Sequence, residues 1–237
     1  MRGLFITGTD TGVGKSVLAA AICAALSARG ERVAAFKPAV SGLDPPLRGA
    51  GEPTEGWPPD HELLAGAASA GQRPEDVAPY RFGPAVSPHL AAEIAGEPLD
   101  PRRLAEAARA AGGGADALVC EGVGGLLVPL TPGYLVRDLA VDLELPLVVA
   151  ARPGLGTINH TLLTVESARA AGLSVAGVVM TPWPEAPGRL EESNRETVAR
   201  LGSAQVSVLA PTTPGDLASA GGALPLDSWL SHNQADA

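Results

Sequence analysis

Basic charge is scarce in this chain. Seventeen Lys and Arg stand against 26 Asp and Glu, for a net charge of -9, and the cations form no stripe. That balance excludes a polyphosphate-backbone partner, because binding a nucleic acid depends on clustered Lys and Arg. Cysteine is nearly absent: Cys23 falls in a predicted helix and Cys120 in a predicted strand. Neither has metal-ligand spacing, which leaves buried thiols in a reducing compartment and no cysteine nucleophile. No apolar run approaches the roughly 20 residues that a bilayer span needs, and the opening residues Met1 to Gly8 carry no leader-like stretch. A soluble, cytoplasmic protein without internal repeats is expected.

What the chain does have is aliphatic content, 46% hydrophobic over 237 residues, enough for one α/β domain with a full core. Residues 3–7 read as a short buried strand. Helical spacing follows over 14–29 through Val17, Ile22, Ala25 and Leu26 until Gly30 stops it. Further strands are predicted at 32–36, 117–120, 145–150 and 175–180, each apolar on both faces, as strands covered by helices on both sides should be. Helical patterns lie near 60–70, 88–95, 101–111, 157–171 and 190–201. This alternation predicts a doubly wound, mostly parallel sheet with helices on both faces, in one domain over 1–237. Residues 41–59, rich in Pro and Gly, read as a long surface loop of the kind that is often functional. The last fifteen residues read as polar, and 231–237 are expected to fray.

The stretch GTDTGVGKS, Gly8 to Ser16, joins the first strand to the first helix. Backbone N–H groups around Gly12, Val13 and Gly14, with Val17 in the following turn, would face an anion at a helix N-terminus. Lys15 would reach the β- and γ-phosphates of a nucleotide, and the Ser16 hydroxyl would ligate Mg²⁺. The glycines Gly8 and Gly14 enclose five residues, one more than the commoner phosphate loop. A Mg²⁺ site also needs a carboxylate at a strand end, since the ion prefers hard oxygen ligands. Glu121 supplies one, followed by Gly122, Val123 and Gly124. Asp60 opens a predicted helix and on its own reads as an N-terminal helix charge.

GTDTGVGKS, FKPAVSG, EGVGG and GTINH together resemble the dethiobiotin synthetases, over residues 3–202, and the five-residue spacing is the form that family uses. The resemblance implies a P-loop NTPase fold and an ATP-dependent ligase that closes a ureido ring from 7,8-diaminononanoate and CO₂ in biotin synthesis, with Mg²⁺. It implies a homodimer with the active site at the interface. It assigns catalysis to Lys37, Lys15 and Thr11, and the metal to Ser16, Asp60 and Glu121. Ser41 would contact substrate, while Thr157 and Asn159, opening a helix, would receive the substrate carboxylate across the dimer. Pro211 would lie in a loop over the base.

Read locally, Lys37 is a lysine ending a strand, and Thr11 and Ser41 suit turns. Ser87-Pro88-His89 resembles a family segment near the pocket but reads as a Ser N-cap with Pro at the first helical position. Thr181 stands where the family often has an Asn that reads adenine, which leaves the preference for ATP over other triphosphates open. Partition-type ATPases carry Lys-Gly-Gly where this chain has Asp10-Thr11-Gly12, and amidating synthases of related fold need a glutaminase domain for which 237 residues leave no room. A small-molecule kinase is a third alternative that FKPAVSG does not favour.

Overall fold

The apolar run Leu4-Phe5-Ile6 forms the centre of strand β1 (Gly3–Gly8), buried along its whole length. Successive side chains of a strand face opposite ways. Leu4 and Ile6 enter one hydrophobic cluster and Phe5 the other, so both faces must be covered. The computed structural model describes residues 1–44 and 56–231.

After β1 come α1 (Lys15–Ala28), β2 (Val33–Phe36), α2 (Asp60–Ala67), α3 (Pro88–Ala95) and α4 (Pro101–Gly112). Then follow β3 (Ala117–Gly125), α5 (Val136–Leu143), β4 (Leu147–Ala151), α6 (Thr157–Ala170), β5 (Val175–Met180), α7 (Arg189–Gly202), β6 (Val206–Val208), α8 (Leu217–Gly222) and α9 (Leu226–Ser231). Six strands make one sheet in the order β6-β5-β4-β1-β3-β2, with every pairing parallel. From β1 the chain crosses to β2, returns through β3, then passes to β4, β5 and β6 on the far side. That reversal beside β1 opens a crevice at the carboxyl ends of the strands, where ligands bind in sheets of this kind.

The five expected strands are present, and three differences are instructive. β3 continues to Gly125, well beyond the expected end at 120, because its glycines carry no apolar signal but still pair with β1, Gly8 opposite Gly125. α5 was not among the expected helices, although Val136, Leu139, Ala140 and Leu143 bury one face at helical spacing. The C-terminal stretch expected to be polar instead buries Leu224, Leu226, Trp229 and Leu230 in the cluster shared with α1. Its apolar residues are few but large, and they sit among polar ones that dominate the average. Gly177 on β5 makes room for this: a Cβ there would lie 2.8 Å from the Trp229 indole nitrogen.

Part of the loop expected at 41–59, residues 45–55, and the tail 232–237 lie outside the described residues. Among the described residues no helix is long and apolar enough to cross a membrane. Cys23 and Cys120 are free and buried, and burial pushes both thiols well above their ordinary range.

Trp229 has no exposed surface and carries the contact between the C-terminal helix and the sheet. Trp229→Ala should therefore lower unfolding free energy by about 3–5 kcal/mol, the cost typical of a large aromatic removed from a core. Urea denaturation would check this; a loss under about 1 kcal/mol would contradict the packing role.

Candidate active site

β1 ends at the phosphate loop, and α1 begins immediately after it. Gly14 stands at the N-cap of α1 in the left-handed region, at φ 85, and a Cβ there would approach Thr181 Cγ2 to 3.0 Å. Both constraints select glycine. The first intrahelical bond runs from Leu18 N–H to Gly14 O, at 3.0 Å. The N–H groups of Lys15, Ser16 and Val17 therefore have no acceptor within the helix and form, with the helix dipole, an anion-binding end. Lys15 folds back and donates its ammonium to Asp10 O, at 2.7 Å. Burial lowers its pKa to about 8, with Glu121 opposing.

Four side chains from four segments meet beside this loop. Glu121, at the position of β3 opposite Ile6, is 0% exposed. Its Oε1 accepts from Ser16 Oγ at 2.8 Å and from Lys37 Nζ at 2.5 Å, while Oε2 has no hydrogen-bond partner. Lys37 follows the last residue of β2, where its backbone N–H donates to Val77 O at 2.9 Å. Its ammonium also meets Asp60 Oδ2 at 2.9 Å. Asp60 is the first residue of α2, so the helix that begins there carries the second carboxylate into the site.

The charges hold one another in place. Burial disfavours the Lys37 ammonium, but Asp60 and Glu121 together outweigh it and hold the pKa above the ordinary lysine range. Burial also opposes the Asp60 carboxylate, and the Lys37 charge overcomes it, so Asp60 lies below the usual range. For Glu121 burial prevails over Lys37 and pushes the carboxyl up.

Ser16, Asp60 and Glu121 offer a hydroxyl and two carboxylates, all hard oxygen donors, with a buried Glu121 oxygen still unpartnered. Among the described residues no group of three or more His, Cys, Asp or Glu could cage a metal alone. The set suits Mg²⁺, which takes one or two carboxylates and completes its shell with water and substrate phosphate oxygens.

In front of the cluster lies a cavity of about 880 Å³. Thr11, Gly12, Gly14, Lys15, Ser16 and Val17 line its floor with Lys37, Asp60, Glu121, Val123 and Gly124, and Ser41 and Pro211 line its walls. Two predicted loop and strand residues lie behind this surface. The Val13 side chain is buried, and Gly122 packs against Val136 and Phe5. Ser41 donates its hydroxyl to Val86 O at 2.7 Å. Ser87 holds the N-cap position of α3 with Pro88 next, yet makes no capping side-chain bond, and both residues line the cavity. Thr157 and Asn159 do not line it. The Thr157 hydroxyl is buried against Thr161 Oγ1 at 3.3 Å, and Asn159 is exposed on α6.

Sequence reasoning passed over two residues at the site. Arg152 donates from Nη2 to Thr11 O at 3.0 Å, which ties the loop to the end of β4. A cation directly after a buried strand, on the crevice side, was the available signal. Trp57, the lone aromatic in the Pro- and Gly-rich loop, lines the cavity as well.

A parallel sheet of this order, with a glycine loop leading into a helix and a buried carboxylate on the neighbouring strand, defines a P-loop nucleotide-binding protein. Solved structures share that fold. A ParA family ATPase from Chlorobium tepidum superposes with a TM-score of 0.52 at 12% identity, covering 97% of this chain and 96% of that one. The septum site-determining protein MinD from Pyrococcus horikoshii gives 0.51 at 17% identity, covering 97% and 94%.

A family model described as an AAA domain matches residues 2–213. Closer in sequence is an ATP-dependent dethiobiotin synthetase BioD of Anaeromyxobacter dehalogenans, 42% identical over 90% of this chain and 92% of that protein. The Bacillus subtilis protein of the same description is 34% identical over 85% of this chain and 83% of its own length. The chain belongs to the dethiobiotin synthetase family.

The lowered Asp60 pKa has a consequence for stability. A carboxylate depressed in the folded state stabilises it above the unfolded pKa, and that contribution is lost as pH falls through the folded value. Asp60 is 42% exposed, so solvent screening limits the effect to about 1 kcal/mol. Asp60→Asn should be less stable than the parent at pH 7, with the difference closing below about pH 4. Urea unfolding across that range tests it; a difference independent of pH would show that the Lys37 pairing contributes nothing.

Proposed function

We propose that the protein is a Mg²⁺- and ATP-dependent dethiobiotin synthetase that joins CO₂ to N7 and N8 of 7,8-diaminononanoate. One observation carries this reading: a buried ammonium, Lys37, is fixed beside a phosphate loop and faces a cavity large enough for a second substrate. In this chemistry one amine captures CO₂ as a carbamate, and a carbamate oxygen takes the γ-phosphoryl group. The second amine then attacks the mixed anhydride and expels phosphate as the ring closes. Negative charge gathers on oxygen at each stage.

The chain's own groups answer that charge. Lys15 and the first N–H groups of α1 bind the phosphates. Lys37 stabilises the carbamate and the phosphoryl group in transfer, since a preorganised cation in a water-poor site acts most strongly on charge that develops there. Thr11 lies over the phosphates, and Ser41 lines the substrate side. Ser16, Asp60 and Glu121 would hold Mg²⁺, which when bound neutralises phosphate charge. Asn159, exposed and outside its own chain's cavity, suits a second copy of the chain, whose substrate carboxylate it and the Thr157 turn would receive in a homodimer. The base falls to the Pro211 segment and to backbone groups, because Thr181 is buried against Gly14.

Incubation with diaminononanoate, bicarbonate, Mg²⁺ and a panel of nucleoside triphosphates should yield the cyclic urea; no ring product with any nucleotide would overturn the reading. Lys37→Ala should lower kcat by about 10²–10³, as loss of a transition-state charge donor does, without weakening nucleotide binding more than a few-fold. Steady-state kinetics with nucleotide titration separates the two, and an unchanged kcat refutes the role.

Lys15 must be charged to meet the phosphates, yet burial holds its pKa at about 8. Nucleotide affinity should therefore fall about tenfold for each pH unit above that value. Calorimetric titration at pH 7 and 9 would show it, and equal affinities would contradict a lysine titrating there.

A further inference from the structure

Lys37 and a divalent cation call on the same oxygens. The ammonium lies 2.5 Å from Glu121 Oε1 and 2.9 Å from Asp60 Oδ2, and Ser16 Oγ donates to the same Oε1 at 2.8 Å. Thus Lys37 holds the two carboxylates that would ligate Mg²⁺, and the hydroxyl that would join them is itself engaged by these carboxylates. Glu121 Oε2, on a carboxylate with no exposure, is left without a donor.

A buried carboxylate is strongly destabilised when its counter-ion is removed, so to stay ionised Glu121 needs a cation beside it throughout a reaction cycle. Two cations cannot share the same pair of carboxylates at contact distance without strong mutual repulsion. Lysine is suited to leave, being a compact charge on a flexible four-carbon stem, and its ammonium can move while the backbone bond from Lys37 N to Val77 O stays in place.

We infer that in the free protein Lys37 occupies the place of the divalent cation, and that cation loading displaces its ammonium from Glu121 and Asp60 toward the reacting oxygens. The charge that stabilises the carbamate and the transferring phosphoryl group is then released by the same event that loads the metal. This rests on the metal assignment made in the proposed function.

The test is Mn²⁺ binding to the full chain without nucleotide, followed by the electron paramagnetic resonance signal of the free ion. Lys37→Met should bind Mn²⁺ about tenfold tighter or more than the parent. Lys15→Met, which removes a nearby charge that does not touch either carboxylate, should gain less than about threefold. Adding Glu121→Gln to Lys37→Met should abolish the gain. Equal affinity in the parent and Lys37→Met, or an equal gain in Lys15→Met, overturns the exchange. Near-UV circular dichroism checks folding, and Lys37→Gln carries the same comparison if Lys37→Met does not fold.

The two readings fail separately. Ring formation by the parent without a Lys37→Met gain removes only the exchange. A gain without ring formation by the parent removes only the assigned reaction.

Discussion

Glu121 is a carboxylate with no exposure to solvent, placed on an interior strand between two hydrophobic clusters. Burying such a group is costly unless it is paired, and the effective penalty amounts to several kcal/mol per ion. Much of the surrounding structure meets that requirement. The loop after β2 brings Lys37 to it, the first turn of α1 brings the Ser16 hydroxyl, and the start of α2 adds Asp60 so that the lysine is shared. Three elements that could otherwise pack with some freedom are thereby fixed relative to β3. A site that would place phosphate and metal beside this ammonium, as proposed, needs that fixity.

The sheet makes the arrangement possible. Because β1 is central and its neighbours β3 and β4 carry connections to opposite sides, the strand ends beside it are not covered by crossover helices. The phosphate loop fills that gap, anchored at several points. Thr9 N–H donates to Ala150 O at 3.0 Å and Arg152 holds Thr11 O, while Thr181 leaves little room for a side chain at Gly14. Thr181, directly after β5, therefore limits what can stand at the helix end of the glycine loop.

The phosphate loop is legible in sequence because its chemistry is local: nine consecutive residues contain the glycines, the lysine, the hydroxyl and the strand-to-helix junction. The strands are legible for a related reason, since aliphatic runs bounded by helical patterns leave few arrangements. The cluster is of another kind. Lys37 lies 84 positions from Glu121, and Ser16 lies 105 positions from it. Each could be picked out singly, as a charged or hydroxyl residue at the end of a strand or the start of a helix. Their mutual pairing could not, and reading by role alone divides them, with the lysine given to substrate and the carboxylates to metal. The C-terminal helices were missed differently. Trp229 and its neighbours form a short amphipathic segment whose purpose appears only once Gly177 is seen to leave space for the indole.

A net charge of -9 sets one further condition. A chain this acidic cannot attract a triphosphate through its overall field, so the attraction must come from groups gathered at short range, where screening acts least. The helix end, Lys15, Lys37 and Arg152 supply them within one crevice. Yet Glu121 and Asp60 stand in that crevice too, and an unneutralised carboxylate pair would repel the phosphates that Lys15 attracts. Neutralising that pair is therefore a condition for nucleotide entry. Lys37 meets it by pairing with both carboxylates, and on the proposed metal assignment a divalent cation arriving with the nucleotide would meet it while adding charge of its own. On the proposed metal assignment the acidic pair would favour the metal-bound triphosphate over the bare anion, through the same buried carboxylate that pairs with Lys37 and Ser16.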